Sequence, residues 1–376
     1  MELEFTADQE ELRDGVRSML VRECPMSLVR EIVEDGVAAD GLWKQMVDLG
    51  WPALTIAEEH GGLGLGTIEL AVVVEELGRV VAPGPYLPTV TQFAAVVREA
   101  GSAEQQGRFL SGVAEGTSTG ALAIAEAGVA LDPAHVGAVA TRTGDDWSLR
   151  GTKAAVLGGV SADEIAVVAR VEGNSGDDGI GVFVVPSDDL AITPVNALDP
   201  TRSLATIKLD GAKIQNDRVL GEPGPQTAVA VRRAIEEAVV SLALETVGVC
   251  QTILDVTLDY AKHREQFGVP IGSFQAIKHK FADMLVALER ARATVYFAAL
   301  TIAEDDDRRS LAASTAKVAA GDCERLLSKE GIQIHGGIGY TWEHDMHLYV
   351  RRAKTNSLLL GTAADHRARI ADLLEI

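Results

Sequence analysis

The chain has 376 residues, 47% of them apolar and only 5% aromatic, and its formal net charge is −21. That length points to two or three structural units, and the apolar content excludes a disordered chain. So acidic a protein disfavours non-specific binding to nucleic acid or to an anionic membrane, and an anionic ligand would need a local basic patch.

Residues 1–120 read as a helical N-terminal domain. Thr6 and Gln9 have capping-box spacing at the start of "TADQEELRDGVRSML", and Leu12, Val16, Met19 and Leu20 then share one helical face. "DGLWKQMVDLGW" reads as a helix stopped near Gly50. "EEHGGLGLGTIELAVVVEELGRV" reads as a glycine-rich turn opening a buried helix, and "APGPYLP" is expected to end the region with prolines. Residues 121–225 change character. "GALAIAEAG", "VGAVATRTGDDWSLRGTKAAVL", "EIAVVARVEG", "GIGVFVVPSD" and "LATIKLDGAKI" are short β-rich runs fitting a barrel or a sandwich, with a hairpin turn at Thr143–Asp146. Residues 226–376 return to helix. "QTAVAVRRAIEEAVVSLALETVGVCQTILDVTLDYAKHR" is one run, apolar nearly all round from Ala238 to Val256. After the turn "EQFGVPIGS" a second long helix follows, with Phe274, Ile277, Phe281, Met284, Leu285, Leu288 and Val295 on its face. A solvated "EDDDRRS" loop leads to a third. The expected fold is α+β multidomain: N-terminal helices, a middle β-barrel domain and a C-terminal four-helix bundle of the kind that packs against a second subunit.

Cys24, Cys250 and Cys323 show neither metal spacing nor a disulfide framework. They fit a reducing cytoplasm and predict no metal. The opening "MELEFTADQEELRDGV" is too charged for a signal peptide. The apolar runs of 233–260 carry Glu236, Glu237, Glu245 and Asp255, which argues against a membrane span.

At "HREQFGVPIGSFQAIKHKFADM" (263–284) the sequence resembles the acyl-CoA dehydrogenase family. "LWKQMVDLGWPALTIAEEHGGLGLGTIELAVVVEELGR" and "GIQIHGGIGYTWEHDMHLYVRRAK" extend the likeness over nearly the whole chain. The resemblance implies a flavoenzyme that desaturates an acyl-CoA thioester between Cα and Cβ: a glutamate takes the α-proton, and the β-hydride passes to FAD lying between subunits of a tetramer. It also implies an electron-transferring flavoprotein as acceptor. Arg264 matches the arginine on the pyrophosphate of the neighbour's FAD, a role suited to a permanently charged, forked guanidinium. Phe267 matches the aromatic beside the adenosine, and Gln275 the ribose contact. Gln333 with Gly336–Gly337 matches the loop where bare backbone approaches the cofactor, and Gly361–Thr362 a second such turn. On their own, Arg264 could cap a helix C-terminus and Phe267 could be core.

The flavin side departs from the family pattern. Ala125 stands where a threonine would bond the flavin. In "KAAVLGG" (153–159), Ala155 replaces tryptophan and Leu157 replaces threonine. Leu360 occupies the usual place of the base and cannot do general-base work, and Ala364 replaces a following glutamine. Other branches carry the base on the long helix, about seven turns before Arg264. That count lands on Ala238, beside Glu237, with Glu236 a weaker candidate; both could instead pair with Arg232 or Arg233. Glu245 is a third candidate whose burial could suit a base or a structural role. The position of a CoA-binding arginine is Val239. Three readings stay open: the FAD-adenine-side subunit of a heteromeric α2β2 dehydrogenase, often acting on bulky or steroid-derived acyl groups; a self-sufficient dehydrogenase using Glu237; or the family fold with other or no redox chemistry.

Overall fold

The computed structural model describes residues 5–376. In chain order the helices are α1 (Ala7–Glu23), α2 (Met26–Asp35), α3 (Asp40–Asp48), α4 (Thr67–Arg79), α5 (Ala94–Ala100), α6 (Ala103–Ala114), α7 (Pro225–His263), α8 (Gln275–Ala303), α9 (Arg309–His335), α10 (Met346–Leu358) and α11 (Ala363–Leu373). Between α6 and α7 run β1 (Gly120–Ala123), β2 (Val139–Thr143), β3 (Asp146–Arg150), β4 (Thr152–Leu157), β5 (Glu164–Val171), β6 (Ile180–Pro186), β7 (Ala191–Val195), β8 (Leu204–Lys208), β9 (Ala212–Ile214) and β10 (Val219–Leu220). The strands β11 (Glu265–Gln266) and β12 (Val269–Pro270) separate α7 from α8. Two compact units result. The first takes in the chain up to Val37, Thr67–Ala82 and Val239–Ile376; the second takes in Ala38–Gly66 and Pro83–Ala238.

The first unit is helical. Thr6 caps α1 as its spacing predicts: its hydroxyl accepts the Gln9 N–H at 3.2 Å and its own N–H reaches Gln9 Oε1 at 3.0 Å, a cap worth about 1 kcal/mol. α4 and α7 cross at a pair of glycines. A Cβ on Gly78 would stand 2.2 Å from the Glu245 carbonyl oxygen, and one on Gly248 would stand 1.9 Å from that of Glu75. Nothing larger than glycine allows so close an approach. The buried glutamates of α4 are matched by cations. Glu75 takes Arg292 at 3.0 Å and the Tyr296 hydroxyl at 2.8 Å, and Glu76 takes Arg17 at 2.6 and 2.9 Å. Along α8, Met284, Leu288 and Val295 are buried as expected, but Phe274 and Leu285 are exposed. The α7 helix is long and apolar enough to cross a membrane, yet 78% of its most apolar window is buried inside the fold, where a core helix lies.

The second unit joins short helices to two sheets. "APGPYLP" does not end the helical region: Pro88 lies in the first turn of a π-helical segment, Leu87–Phe93, which continues into α5 and is followed by α6. Proline is tolerated in a first turn because its missing N–H would be an orphan there. The β2–β3 hairpin forms at the predicted turn, with Thr143 opposite Asp146. The larger sheet has seven strands in the order β10-β6-β5-β2-β3-β9, with β1 parallel to β5; the smaller is β4-β8-β7. The expected barrel does not form, because the sheets do not close on each other. The corner is Gly151, at φ +141, whose Cβ would meet Ala138 at 3.0 Å. There the chain leaves β3 in one sheet and enters β4 in the other. The sequence reading missed β7, which carries Pro194. It sits on a sheet edge, where proline sacrifices no ladder bond.

Candidate active site and cofactor surface

In the first unit, the predicted adenine-side residues gather around the end of α7. The β11–β12 hairpin turns through Phe267–Gly268, with φ +55 and +79. Two positive φ values are the mark of a type I′ turn, in which a phenylalanine is strained. The strain holds the ring outward: Phe267 is 94% exposed and meets Phe274 edge-on at 6.2 Å. Arg264 is exposed just before the hairpin, and its carbonyl accepts the Ile271 N–H at 2.7 Å. Gln275, also exposed, is the first residue of α8. The end of α9 joins them because Tyr260 stacks on His335 at 4.5 Å. Gln333 is exposed on the last turn of α9, and Gly336–Gly337 follow. Gly336 has φ +65, and a Cβ on either glycine would meet nothing within 4 Å, so open backbone faces outward. An exposed guanidinium, an outward aromatic ring and bare peptide groups suit a pyrophosphate and a purine ring. Sequence reasoning missed Tyr260 and His335, the ring pair that brings the two helix ends together; no local spacing links positions so distant. His335 Nδ1–H donates to the Gly331 carbonyl at 2.8 Å, and burial holds this imidazole below its usual range. Thr362, half-buried, caps α11 through Asp365.

The flavin-side positions lie in the second unit, and their polar groups turn inward. The Ala125 carbonyl accepts the Ala154 N–H at 2.8 Å. Glu126 accepts the N–H groups of Gly137 and Ala138 at 2.8 and 2.9 Å and the Lys153 amine at 2.6 Å. Lys153 is fully buried; desolvation lowers its pKa to about 8 against the pull of Glu126. Burial would raise the Glu126 carboxyl, but Lys153 together with the Ala138 and Gly137 N–H groups holds it below the usual range. Ala155 sits at φ +50 where the register slips between Lys153 and Val156. Ala125, Ala155 and Leu157 offer neither a side-chain donor nor an aromatic wall. These positions therefore fit an isoalloxazine ring poorly, whereas the Arg264–Phe267–Gln275 surface fits the nucleotide end of FAD.

The candidate bases are all buried. On the stretch of α7 within the second unit, Glu236 and Glu237 are both shielded from solvent. Glu237 Oε2 pairs with the Arg98 guanidinium, which also reaches Thr55 Oγ1 at 3.3 Å. Glu237 Oε1 is buried and finds no partner among the described residues. Burial opposes the Arg98 charge, but Glu237 and Glu99 keep it raised. Arg232 forks onto Asp132 and Asp177 at 2.6–3.2 Å, and Arg233 reaches Glu99 at 2.7 Å. In the first unit, Glu245 accepts Arg352 at 2.8 Å and Asn356 at 2.7 Å, both buried. Leu360 lies in the turn from α10 to α11, with φ +55 and its carbonyl bonded to His366 Nε2 at 2.9 Å. Cys24, Cys250 and Cys323 are free and buried.

Known proteins resemble the chain in sequence and in fold. The acyl-CoA dehydrogenase N-terminal domain matches residues 6–117 and the acyl-CoA dehydrogenase C-terminal domain matches residues 228–374. The acyl-CoA dehydrogenase IpdE2 of Mycobacterium tuberculosis is 31% identical, over 96% of each chain. Among solved structures, butyryl-CoA dehydrogenase of Megasphaera elsdenii superposes with a TM-score of 0.92 at 25% identity, covering 100% of both chains. A chain of the ChsE4–ChsE5 complex of M. tuberculosis gives 0.89 at 28% identity, covering 100% and 99%. The Tcur3481–Tcur3483 steroid ACAD variant gives 0.86 at 30% identity, covering 98% of each chain. By its sequence and its fold, the chain belongs to the acyl-CoA dehydrogenase family of FAD-dependent oxidoreductases.

Proposed function

We propose that this chain is the FAD-adenine-side subunit of a heteromeric α2β2 acyl-CoA dehydrogenase that desaturates a bulky, steroid-derived acyl-CoA between Cα and Cβ in the cytoplasm. One observation carries the reading. The chain exposes Arg264, Phe267 and Gln275 on one unit and pairs Lys153 with Glu126 inside the other. A flavin edge facing Ala125, Ala155 and Leu157 would lose about 1–3 kcal/mol per missing partner.

In this reading Arg264 would hold the pyrophosphate of the FAD bound chiefly by the partner subunit. Phe267 would cover the adenosine, Gln275 would bond the ribose, and the backbone at Gln333, Gly336, Gly337 and Thr362 would border the same cofactor. FAD bound there would supply the hydride acceptor for the desaturation, with an electron-transferring flavoprotein as the onward electron acceptor. Leu360 stands at the family's base position and cannot exchange a proton, so in this reading the partner subunit brings the base. Support comes from IpdE2, from the two-component ChsE4–ChsE5 assembly and from the steroid dehydrogenase named above, all similar over nearly the full chain.

A second reading, a self-sufficient dehydrogenase with Glu237 as base, draws on the unpartnered Oε1 of that buried carboxylate. Against it, Arg98 already neutralises the group, with Glu236 and Glu245 the further candidates. The visible spectrum of the chain purified alone separates the two. A colourless chain that acquires flavin only when co-expressed with a neighbouring dehydrogenase subunit is the expected result. Stoichiometric flavin in the isolated chain, bleached by acyl-CoA, would reject the partner-subunit reading. A Glu237→Gln variant that loses turnover while keeping flavin would establish the second.

A further inference from the structure

We propose that Lys317 is the positioning residue of the Leu359–Leu360–Gly361 turn, and that with His366 it holds the turn in its left-handed shape by donating hydrogen bonds to main-chain carbonyls. The inference goes beyond the functional reading above and stands whichever chain carries the base.

Lys317 lies on α9 and is 4% exposed. Its amine donates to the carbonyls of Asn356 and, at 2.7 Å, of Leu359. These belong to the last turn of α10, where helix carbonyls lack partners of their own. His366, buried on α11, donates from Nε2 to the Leu360 carbonyl at 2.9 Å, and its Nδ1 faces Ser314 Oγ at 3.3 Å. Ser314 stands on the same face of α9, one turn before Lys317. Three carbonyls are thus drawn inward onto two side chains. The chain between them turns through φ +55 at Leu360 and +92 at Gly361. Leucine does not adopt that conformation unaided. The fit is close, since a Cβ on Gly361 would stand 3.1 Å from His366 Nε2.

Donor counting gives the clamp its chemistry. A neutral amine has two N–H groups, and the two carbonyls use both. Protonation adds a third N–H and a full charge on an amine that, among the described residues, bonds only to carbonyls. Around the Lys317–His366 pair stand Asn356 from α10, and, beside His366, Ser314 from α9 and Asp365 and Arg369 from α11, the Asp365 carboxylate being taken up by Thr362. Behind Asn356, Glu245 of α7 is already matched by Arg352. Burial lowers Lys317 from 10.5 to about 7. Burial also lowers His366, aided by Lys317 and Arg369 and opposed by the Leu360 bond and Asp365. The sign for Lys317 follows. From about pH 7 up to its unfolded value the open chain binds one more proton than the closed clamp, so the clamp tightens as pH rises. Below about pH 7 it changes no further.

Hydrogen exchange of the 355–366 peptide tests this in the full chain from about pH 7 to about 8.5, corrected for intrinsic exchange. Wild-type protection should rise about tenfold per pH unit, the slope of one proton. Lys317→Met should lose that slope. Lys317→Arg, charged throughout, should leave the turn open at every pH. Leu360→Gly, which removes the left-handed penalty, should restore folding and protection to Lys317→Met far more than it changes the wild type. Equal slopes in wild type and Lys317→Met, or an equal effect of Leu360→Gly in both backgrounds, would overturn the proposal.

Discussion

Glu245 accepts two hydrogen bonds from fully buried partners, Arg352 and Asn356, and Arg352 also donates to the carbonyls of Val81 and Ala82 at 3.0 and 3.2 Å. Every polar group in this knot has a use, so its worth shows only when one member is removed. Glu245→Gln should lower stability by about 3–5 kcal/mol, because Arg352 remains as an uncompensated buried charge. Glu245→Leu with Arg352→Met should recover much of that loss, and urea unfolding of the four proteins measures both. Periodicity places Glu245 on an apolar stretch of α7, but Arg352 stands 107 positions downstream and no local pattern announces it. The same holds for Glu237: its helix position was legible, while Arg98, which takes up one of its oxygens, was not.

Among elements, the Phe267–Gly268 hairpin trades stability for presentation. Phe267→Gly should stabilise the isolated chain by about 1–2 kcal/mol, by removing a side chain from positive φ. In the assembled enzyme the same change should raise the rate of FAD loss, which flavin fluorescence on dilution would follow. Opposite signs on stability and retention distinguish a binding device from a structural turn. The α4–α7 crossing behaves otherwise. Gly248→Ala should force the helices apart and lower the melting temperature with no compensating gain, since a Cβ there meets the Glu75 carbonyl at 1.9 Å. Elements whose signals are local were readable in advance: the Thr6 cap, the Thr143–Asp146 hairpin and the whole of α7. The split into two open sheets was not, because it turns on the torsion of Gly151 and on pairing between distant strands. Arg264, Phe267 and Gln275 could be named from their motif. That Tyr260 and His335 join them to Gly336 required the folded chain.

For the whole molecule, the net charge of −21 leaves association to apolar contact rather than to long-range attraction between like copies. α8 leaves Leu285 49% and Val286 69% exposed. In the tetramer proposed above this face is covered. Val286→Glu should then shift the assembly towards smaller species in size-exclusion chromatography while leaving the far-ultraviolet circular dichroism unchanged. The buried acids of α4 carry a different consequence, for synthesis. Arg292 and Tyr296, which satisfy Glu75, lie 217 and 221 positions downstream. At ordinary ribosomal speeds α4 therefore emerges roughly 10–40 s before its partners exist. A nascent chain in that interval can pair Glu76 with Arg17 of α1 but holds neither partner of Glu75. Glu75 must therefore stay hydrated until α8 is made, so the α4 core closes late in synthesis.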